Sequence, residues 1–399
     1  MSSPARRLAV LLTHPVQYFK PVFTGLAADP AIELRVFFGC GHGTTSSVDP
    51  DFGVAFAWDS GPTEGYPHTI LSGEPLAALS RPRRGLALAR RAAAAIRAWK
   101  PDAVLIFSYS PVFITAASLL LARQGQRLWL RAETTDEALD RAPWKEWLRS
   151  AALRRYYRRF AHVFPIGTHS EAHYQRLGVG PGRRSTARYA VDRDFFAPQV
   201  AHWQPQRQAL RHELGIPDQA PVLLFVGKIS PVKDPLLIPA ALERLGRDPA
   251  TRELWSRLHL VVVGDGSLRA ALQAALDTAL PGRHHPMGFR NQQELGRFYA
   301  LADALVLPSR QGETWGLVVN EALQFGCPVI CSDRVGSAPD LVADRPWGRV
   351  HRAGDPESLA TAIASLLGAP AGERRPPAAA DLPHPRELVS AIRRQLERI

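Results

Sequence analysis

The chain has 399 residues, 46% hydrophobic and 22% charged, which is the balance of a globular protein with enough apolar material for two cores and excludes disordered and fibrous classes. Three cysteines, Cys40, Cys327 and Cys331, show no metal-ligand spacing and suggest neither a disulfide framework nor a zinc site, so a reducing cytoplasmic setting is expected. The formal charge of +12 is concentrated early, with 26 Lys/Arg against 16 Asp/Glu in residues 1–200 and 23 against 21 in residues 201–399; no nucleic-acid-binding motif accompanies it, so nucleic acid is not an expected partner.

From the N-terminus, two arginines precede an apolar run too short for a leader and lacking a small-residue cleavage site, so Leu8–Thr13 is read as a first strand, followed by Glu33–Phe38. Arg81 to Lys100 has helical spacing, with Leu88, Ala92, Ile96 and Trp99 on one side and Arg83, Arg84, Arg90, Arg91 and Arg97 on the other. Ala103 to Ala122 is apolar enough to suggest a membrane span, but Ser108-Tyr109-Ser110-Pro111 divides it into a strand (Ala103–Phe107), a turn and a helix. Next come a strand at Arg127–Ala132, a second basic helix at Arg149–Arg159 and a strand at Val163–Ile166. The basic helices are either solvated faces or a candidate docking surface for an anionic membrane, making the protein cytoplasmic and peripheral at the inner face of the cell membrane.

Tyr189 to Gln208 carries two prolines and no clear period. The alternation then restarts with strands at Val222–Val226, Leu258–Val263, Ala304–Leu307 and Pro328–Cys331. A Pro- and Ala-rich stretch from Gly368 to Pro385 precedes a last helix at Glu387–Arg398. The expected fold is α/β with two Rossmann-like, doubly wound parallel-sheet domains at 1–195 and 209–370, a linker at 196–208, and a tether with a C-terminal helix at 371–399.

The most informative stretch runs from Leu305 to Leu323: a strand, a polar loop with Glu313, and a helix opening near Gly316. A helix N-terminus offers unpaired N–H groups and the positive end of a dipole to a diphosphate. Glu321 lies about one and a half turns beyond Gly316, so two carboxylates flank one ligand position, and a carboxylate accepts hydrogen bonds from vicinal hydroxyls. Upstream, a strand opens into a loop bearing Lys228 and Lys233, two cations suited to a pyrophosphate leaving group. Val263-Gly264-Asp265-Gly266 is another strand-to-glycine turn, but no dinucleotide GxGxxG fingerprint follows any strand, which argues against a nicotinamide dehydrogenase.

Gly227-Lys228 with Lys233, Val263-Gly264-Asp265-Gly266, Gly288-Phe289, and Glu313 separated by seven residues from Glu321 resemble the retaining glycosyltransferases of family 4. Ile166-Gly167-Thr168-His169-Ser170, Val191-Asp192 and Gly354-Asp355-Pro356 extend the likeness over roughly residues 160–367. The resemblance implies the GT-B fold, an active-site cleft between two domains, and a terminal helix crossing back to the first. It implies Glu313 at the donor-sugar hydroxyls in a catalytic role, Glu321 at the ribose, and Lys228, Lys233, Gly316 and Leu317 at the diphosphate. Phe289 and Arg290 would lie beside the base. It further implies same-face transfer from a UDP- or GDP-sugar to a glycan, lipid-linked or small-molecule acceptor in cell-envelope synthesis, without metal or other cofactor. A nucleotide-sugar epimerase or hydrolase on the same fold, and a non-catalytic sugar-nucleotide-binding protein, are the alternatives.

The N-terminal half departs from that pattern. Where many members carry a glycine-rich loop, this chain has Thr13-His14-Pro15-Val16-Gln17-Tyr18-Phe19, and where many carry a mid-domain histidine it has Arg131-Ala132-Glu133. His14, Arg131 and Glu133 are therefore candidate residues of the cleft or acceptor side, with capping and salt-bridging as their structural alternatives.

Overall fold

A computed structural model describes residues 4–44, 61–137, 141–370 and 376–399, with the backbone of 47–48 and 55–56. The N-terminal sheet contains β1 (Arg6–Leu12), β2 (Ile32–Phe38), β3 (His68–Ile70), β4 (Ala103–Phe107), β5 (Leu128–Arg131) and β6 (Phe160–Val163). The C-terminal sheet contains β7 (Val222–Val226), β8 (His259–Val263), β9 (His284–Gly288), β10 (Ala304–Leu307), β11 (Val329–Ser332) and β12 (Gly348–His351). Both are six-stranded and parallel, in the orders β3-β2-β1-β4-β5-β6 and β9-β8-β7-β10-β11-β12. Each order reverses beside its first strand, between β1 and β4 and between β7 and β10. At such a switch point the connecting helices leave to opposite faces, and a crevice opens at the strands' carboxyl ends.

The interior strands form because apolar runs must be covered on both faces. β4, β7, β8 and β10 are buried at every position, and their spans match the sequence reading to within one residue. The edges differ. β3, β9 and β12 were not foreseen, and β6 lies three residues before the expected Val163–Ile166. Edge strands meet solvent on one side and need no apolar run: β9 reads His-His-Pro-Met-Gly and none of its residues is fully buried.

The segment containing the expected linker, which has no clear period in the sequence, is largely helical. Residues 193–203 form a helix, followed by a short turn and a further helix at Arg207–Glu213. Asp192 caps it, accepting from the backbone N–H of Asp194 at 3.0 Å and of Phe195 at 3.3 Å. Its Phe196 is buried and meets Phe325 edge-on at 6.2 Å. Pro198 inside it concealed this helix in the sequence. Residues 371–375 of the expected tether lie outside the described residues.

The last helix, Arg386–Leu396, packs against Lys20–Ala27 of the N-terminal half. Glu387 takes the Arg188 guanidinium at 2.8 Å and Arg393 reaches Asp29 at 3.3 Å. Across the cleft, Thr168 donates its backbone N–H and its hydroxyl to Asp340, each at 3.0 Å. Among the described residues no helix is long and apolar enough to cross a membrane.

Candidate functional site in the interdomain cleft

The carboxyl ends of the two sheets face one another. On the C-terminal side, β10 ends at Leu307, the loop carries Ser309 and Glu313, and the helix Leu317–Gln324 starts after Gly316. Gly316 is the N-cap with φ +86°, a left-handed conformation that a β-carbon penalises, so glycine is what allows the chain to turn directly into the helix. The first-turn N–H groups of Leu317 and its neighbours then lie at the cleft. Glu313 accepts from the Ser309 hydroxyl at 3.0 Å and is ion-paired with Lys233, which arrives from the loop after β7. Lys228 stands half-buried at the end of that strand.

Glu321 is completely buried. One carboxylate oxygen accepts from Tyr299 at 2.7 Å; the other accepts from Gln292 at 2.9 Å and from Tyr18 of the N-terminal half at 3.1 Å. Burial raises its pKa and the three donors oppose that rise. A cavity of about 400 Å³ lies alongside, lined in part by Gln17, Tyr18, Phe195 and Gln292. Phe289 is half-buried in the loop after β9, whereas Arg290 is exposed, its guanidinium 3.4 Å from Glu294.

On the N-terminal side, a cavity of about 320 Å³ opens at the switch point, lined by Thr13 and His14 after β1, Ser108 after β4, Arg131 and Glu133 at the end of β5, and Thr314 from the opposite domain. His14 is held by Thr13 at 2.8 Å, and its pKa falls to about 4 through burial and the neighbouring His42, so the ring is neutral at pH 7. Arg131 is buried beneath the cavity and donates to the Ala187 carbonyl at 2.9 Å, its guanidinium 5.6 Å from the centre of the Tyr189 ring. Burial lowers its pKa to about 10, which leaves it charged.

Glu133 receives a hydrogen bond from the Tyr189 hydroxyl, and its carboxyl is raised above the ordinary range by burial, with Glu313 across the cleft adding in the same direction. The side chain keeps access to solvent through the cleft, so this burial is that of a pocket floor and not of a sealed core.

The cleft therefore brings together Lys233, Glu313 and the Gly316–Leu317 turn on one wall, and His14 and Glu133 on the other. Arg131 lines the same cavity from a buried position. Several of the residues that join the walls were not singled out from the sequence. Tyr189 stacks on Phe19 at 5.5 Å; Asn320 donates to the Tyr189 carbonyl at 3.0 Å and accepts from the Trp315 indole at 2.8 Å. Trp315 in turn lies against Gly167, where a β-carbon would stand 2.3 Å from its ring. Isolated tyrosines and a tryptophan carry no spacing signal. Tyr18 lies in the unusual loop after β1, and Trp315 and Asn320 lie in the informative Leu305–Leu323 stretch, but no spacing marked any of them as a cross-cleft contact.

Two family models match the chain: one described as "Glycosyl transferases group 1" over residues 206–380, the other as "Glycosyl transferase 4-like domain" over residues 29–190. A D-inositol 3-phosphate glycosyltransferase 2 of Catenulispora acidiphila is 37% identical over 207 residues, 48% of this chain and 44% of that protein, so the chain spans less than half the length of this curated relative. A glycosyltransferase from Rickettsia africae has a similar structure, with a TM-score of 0.71, 13% identity and 99% of each chain covered. Anabaena HepE, solved with UDP and glucose, has a TM-score of 0.64 at 15% identity over 98% of this chain and 99% of its own. An α,α-trehalose-phosphate synthase from Burkholderia vietnamiensis scores 0.69 at 14% identity over 99% of this chain and 100% of that one. At these identities the structural likeness speaks for the fold, which is GT-B.

Proposed function

We propose that this chain, which belongs to the glycosyl transferases of group 1, moves a sugar from a UDP- or GDP-sugar to a hydroxyl of a glycan, lipid-linked or small-molecule acceptor, with retention and without a metal. The observation that carries this reading is the Lys233–Glu313 pair at the mouth of the helix that opens after Gly316. Lys233, Lys228 and the helix N-terminus supply the positive charge a departing diphosphate needs, the work a metal would otherwise do. Lys233 transfers from Glu313 to the phosphates when the donor arrives, and Glu313, still held by Ser309, turns to the sugar hydroxyls.

Glu321 takes the ribose. Its carboxylate already holds three donors, so a ribose hydroxyl replaces that of Tyr18, the one donor contributed by the opposite domain. The acceptor enters the cavity at His14 and Glu133. The bond from the anomeric carbon to the phosphate oxygen breaks, the acceptor oxygen bonds to the same face, and its proton leaves on the departing diphosphate. The protein's part is to position the reactants and stabilise charge. UDP is the favoured nucleotide because HepE, a protein of the same fold, was solved with it. The setting is cytoplasmic, at the inner face of the membrane, in cell-envelope polysaccharide synthesis.

The test is to follow nucleoside diphosphate release from UDP- and GDP-sugars with and without candidate acceptors, and to read the anomeric configuration of the product by NMR. Acceptor-dependent release with an unchanged anomer is the expected result. Release that needs no acceptor would make the protein a hydrolase or epimerase.

A further inference from the structure

The helix Pro143–Tyr157 buries Ser150, Leu153, Tyr156 and Tyr157, the last three packing in a common core with the helices Pro82–Trp99 and Val112–Arg123. At 3.6 residues per turn, the direction opposite that buried side is occupied by Trp144, Leu148, Ala151 and Arg155, with Trp147, Arg154 and Arg158 at its margin. Trp144 is 63% exposed, Trp147 70% and Leu148 51%, more than any other large apolar side chain among the described residues, and all three fall within five positions of one another. Scattered exposed hydrophobics need no explanation, but two tryptophans and a leucine on one helix end do.

The other end of the same face is cationic. Arg154, Arg155 and Arg158 are exposed and have no carboxylate partner among the described residues. Lys145 lies over the Trp144 ring at 5.4 Å. The helix's one carboxylate, Glu146, is turned inward to Ser150 at 2.9 Å and Arg176 at 3.0 Å, leaving the outer face without negative charge. Tryptophans seek the boundary between headgroups and acyl chains, and arginines pair with lipid phosphates.

We propose that this face docks the protein onto a bilayer bearing anionic headgroups, with Trp144, Trp147 and Leu148 inserted at the interface and Arg154, Arg155 and Arg158 on the phosphates. Pro82–Trp99 packs in the same core and turns Arg83, Arg84, Arg90, Arg91 and Arg97 to solvent, but its one exposed large apolar side chain is Leu86 at 37%. It adds attraction without insertion. The inserted end is also the end nearest the cleft: the Glu137 carbonyl, a few residues ahead of the helix, accepts from Arg334 of the C-terminal domain at 3.2 Å. A membrane-borne acceptor would thus be presented at the cavity floored by Glu133. That last step rests on the glycosyl-transfer reading; the docking does not.

The experiment is sedimentation of the full chain with vesicles of phosphatidylcholine alone or mixed with phosphatidylglycerol, at low and at physiological salt, with tryptophan emission and quenching by brominated lipid recorded alongside. Retention on the anionic vesicles, weakened by salt and accompanied by a blue shift, is expected. The double variant Trp144→Ser, Trp147→Ser should lose about tenfold or more in retention along with the quenching, and Arg154→Glu, Arg155→Glu, Arg158→Glu should lose the anionic preference. Both variants alter only exposed side chains, so their melting temperatures and nucleoside diphosphate binding, measured on the same samples, should match the parent. Failure to dock therefore leaves the donor-site reading standing. Equal retention of the tryptophan variant overturns the proposal, as does a concentration-dependent dimer that the variant abolishes while the parent ignores vesicles.

Discussion

The two halves share a strand order and place a crevice at the same topological point, yet they furnish it differently. The C-terminal crevice is built around a glycine-capped helix start, with Lys233 and Glu313 paired at its mouth. The N-terminal crevice relies on side chains, a neutral His14 and a raised Glu133 above a buried Arg131. Backbone N–H groups suit the part common to every donor, its diphosphate, whereas side chains are easily exchanged and suit an acceptor that varies. The excess of positive charge follows the same division, lying almost wholly in the half proposed above to meet the acceptor and the membrane.

The largest effect that would sharpen this contrast is on turnover. Glu313→Gln should reduce kcat by about 10²–10³-fold, the scale of losing one well-placed polar group at a developing charge, with little change in nucleotide affinity. Glu133→Gln should act mainly through the acceptor KM, and a matching loss in both variants would erase the distinction between the walls. Next in size is Gly167→Ala, which puts a β-carbon 2.3 Å from Trp315 and 2.8 Å from Asp340 where the halves meet. It should destabilise the fold by about 1–3 kcal/mol in urea melts, as overpacking does.

A pH effect comes third. His14, His162 and His259 are each lowered to about 4, mainly by burial, so the folded state resists protons that the unfolded chain takes up below about 6.5. Stability from these groups is fully present above pH 6.5 and declines toward pH 4; the raised Glu133 and Glu321 act in the opposite sense and soften the decline. Calorimetric melts of His162→Gln across that window should show a shallower slope. The smallest change is Tyr18→Phe. It frees one position on Glu321 and should tighten nucleoside diphosphate binding by a factor of about three to ten, the worth of one ordinary hydrogen bond; weaker binding would mean that Tyr18 supports the site and does not occupy it.

How much of this was legible in the sequence follows the same division. Strands buried on both faces, such as Ala103–Phe107 and Val222–Val226, announce themselves as apolar runs, and Gly316 marks a helix start that only glycine makes easily. All four sheet edges were missed or displaced because solvent relieves them of the need for such runs. The helix Arg193–Trp203 was hidden by Pro198 and disclosed only by its cap, Asp192. The connections across the cleft, Tyr18 to Glu321, Asn320 to Tyr189 and Thr168 to Asp340, join residues more than 130 positions apart and leave no local pattern.

The claim that the donor is held by the C-terminal half is tested most directly by calorimetric titration of UDP and GDP into the parent protein, Lys233→Ala and Glu133→Gln. The account predicts that one nucleotide binds the parent, that Lys233→Ala weakens it by about 10–100-fold through the loss of a charge-assisted contact, and that Glu133→Gln leaves it unchanged. Undiminished binding to Lys233→Ala, or binding lost only in Glu133→Gln, would contradict it.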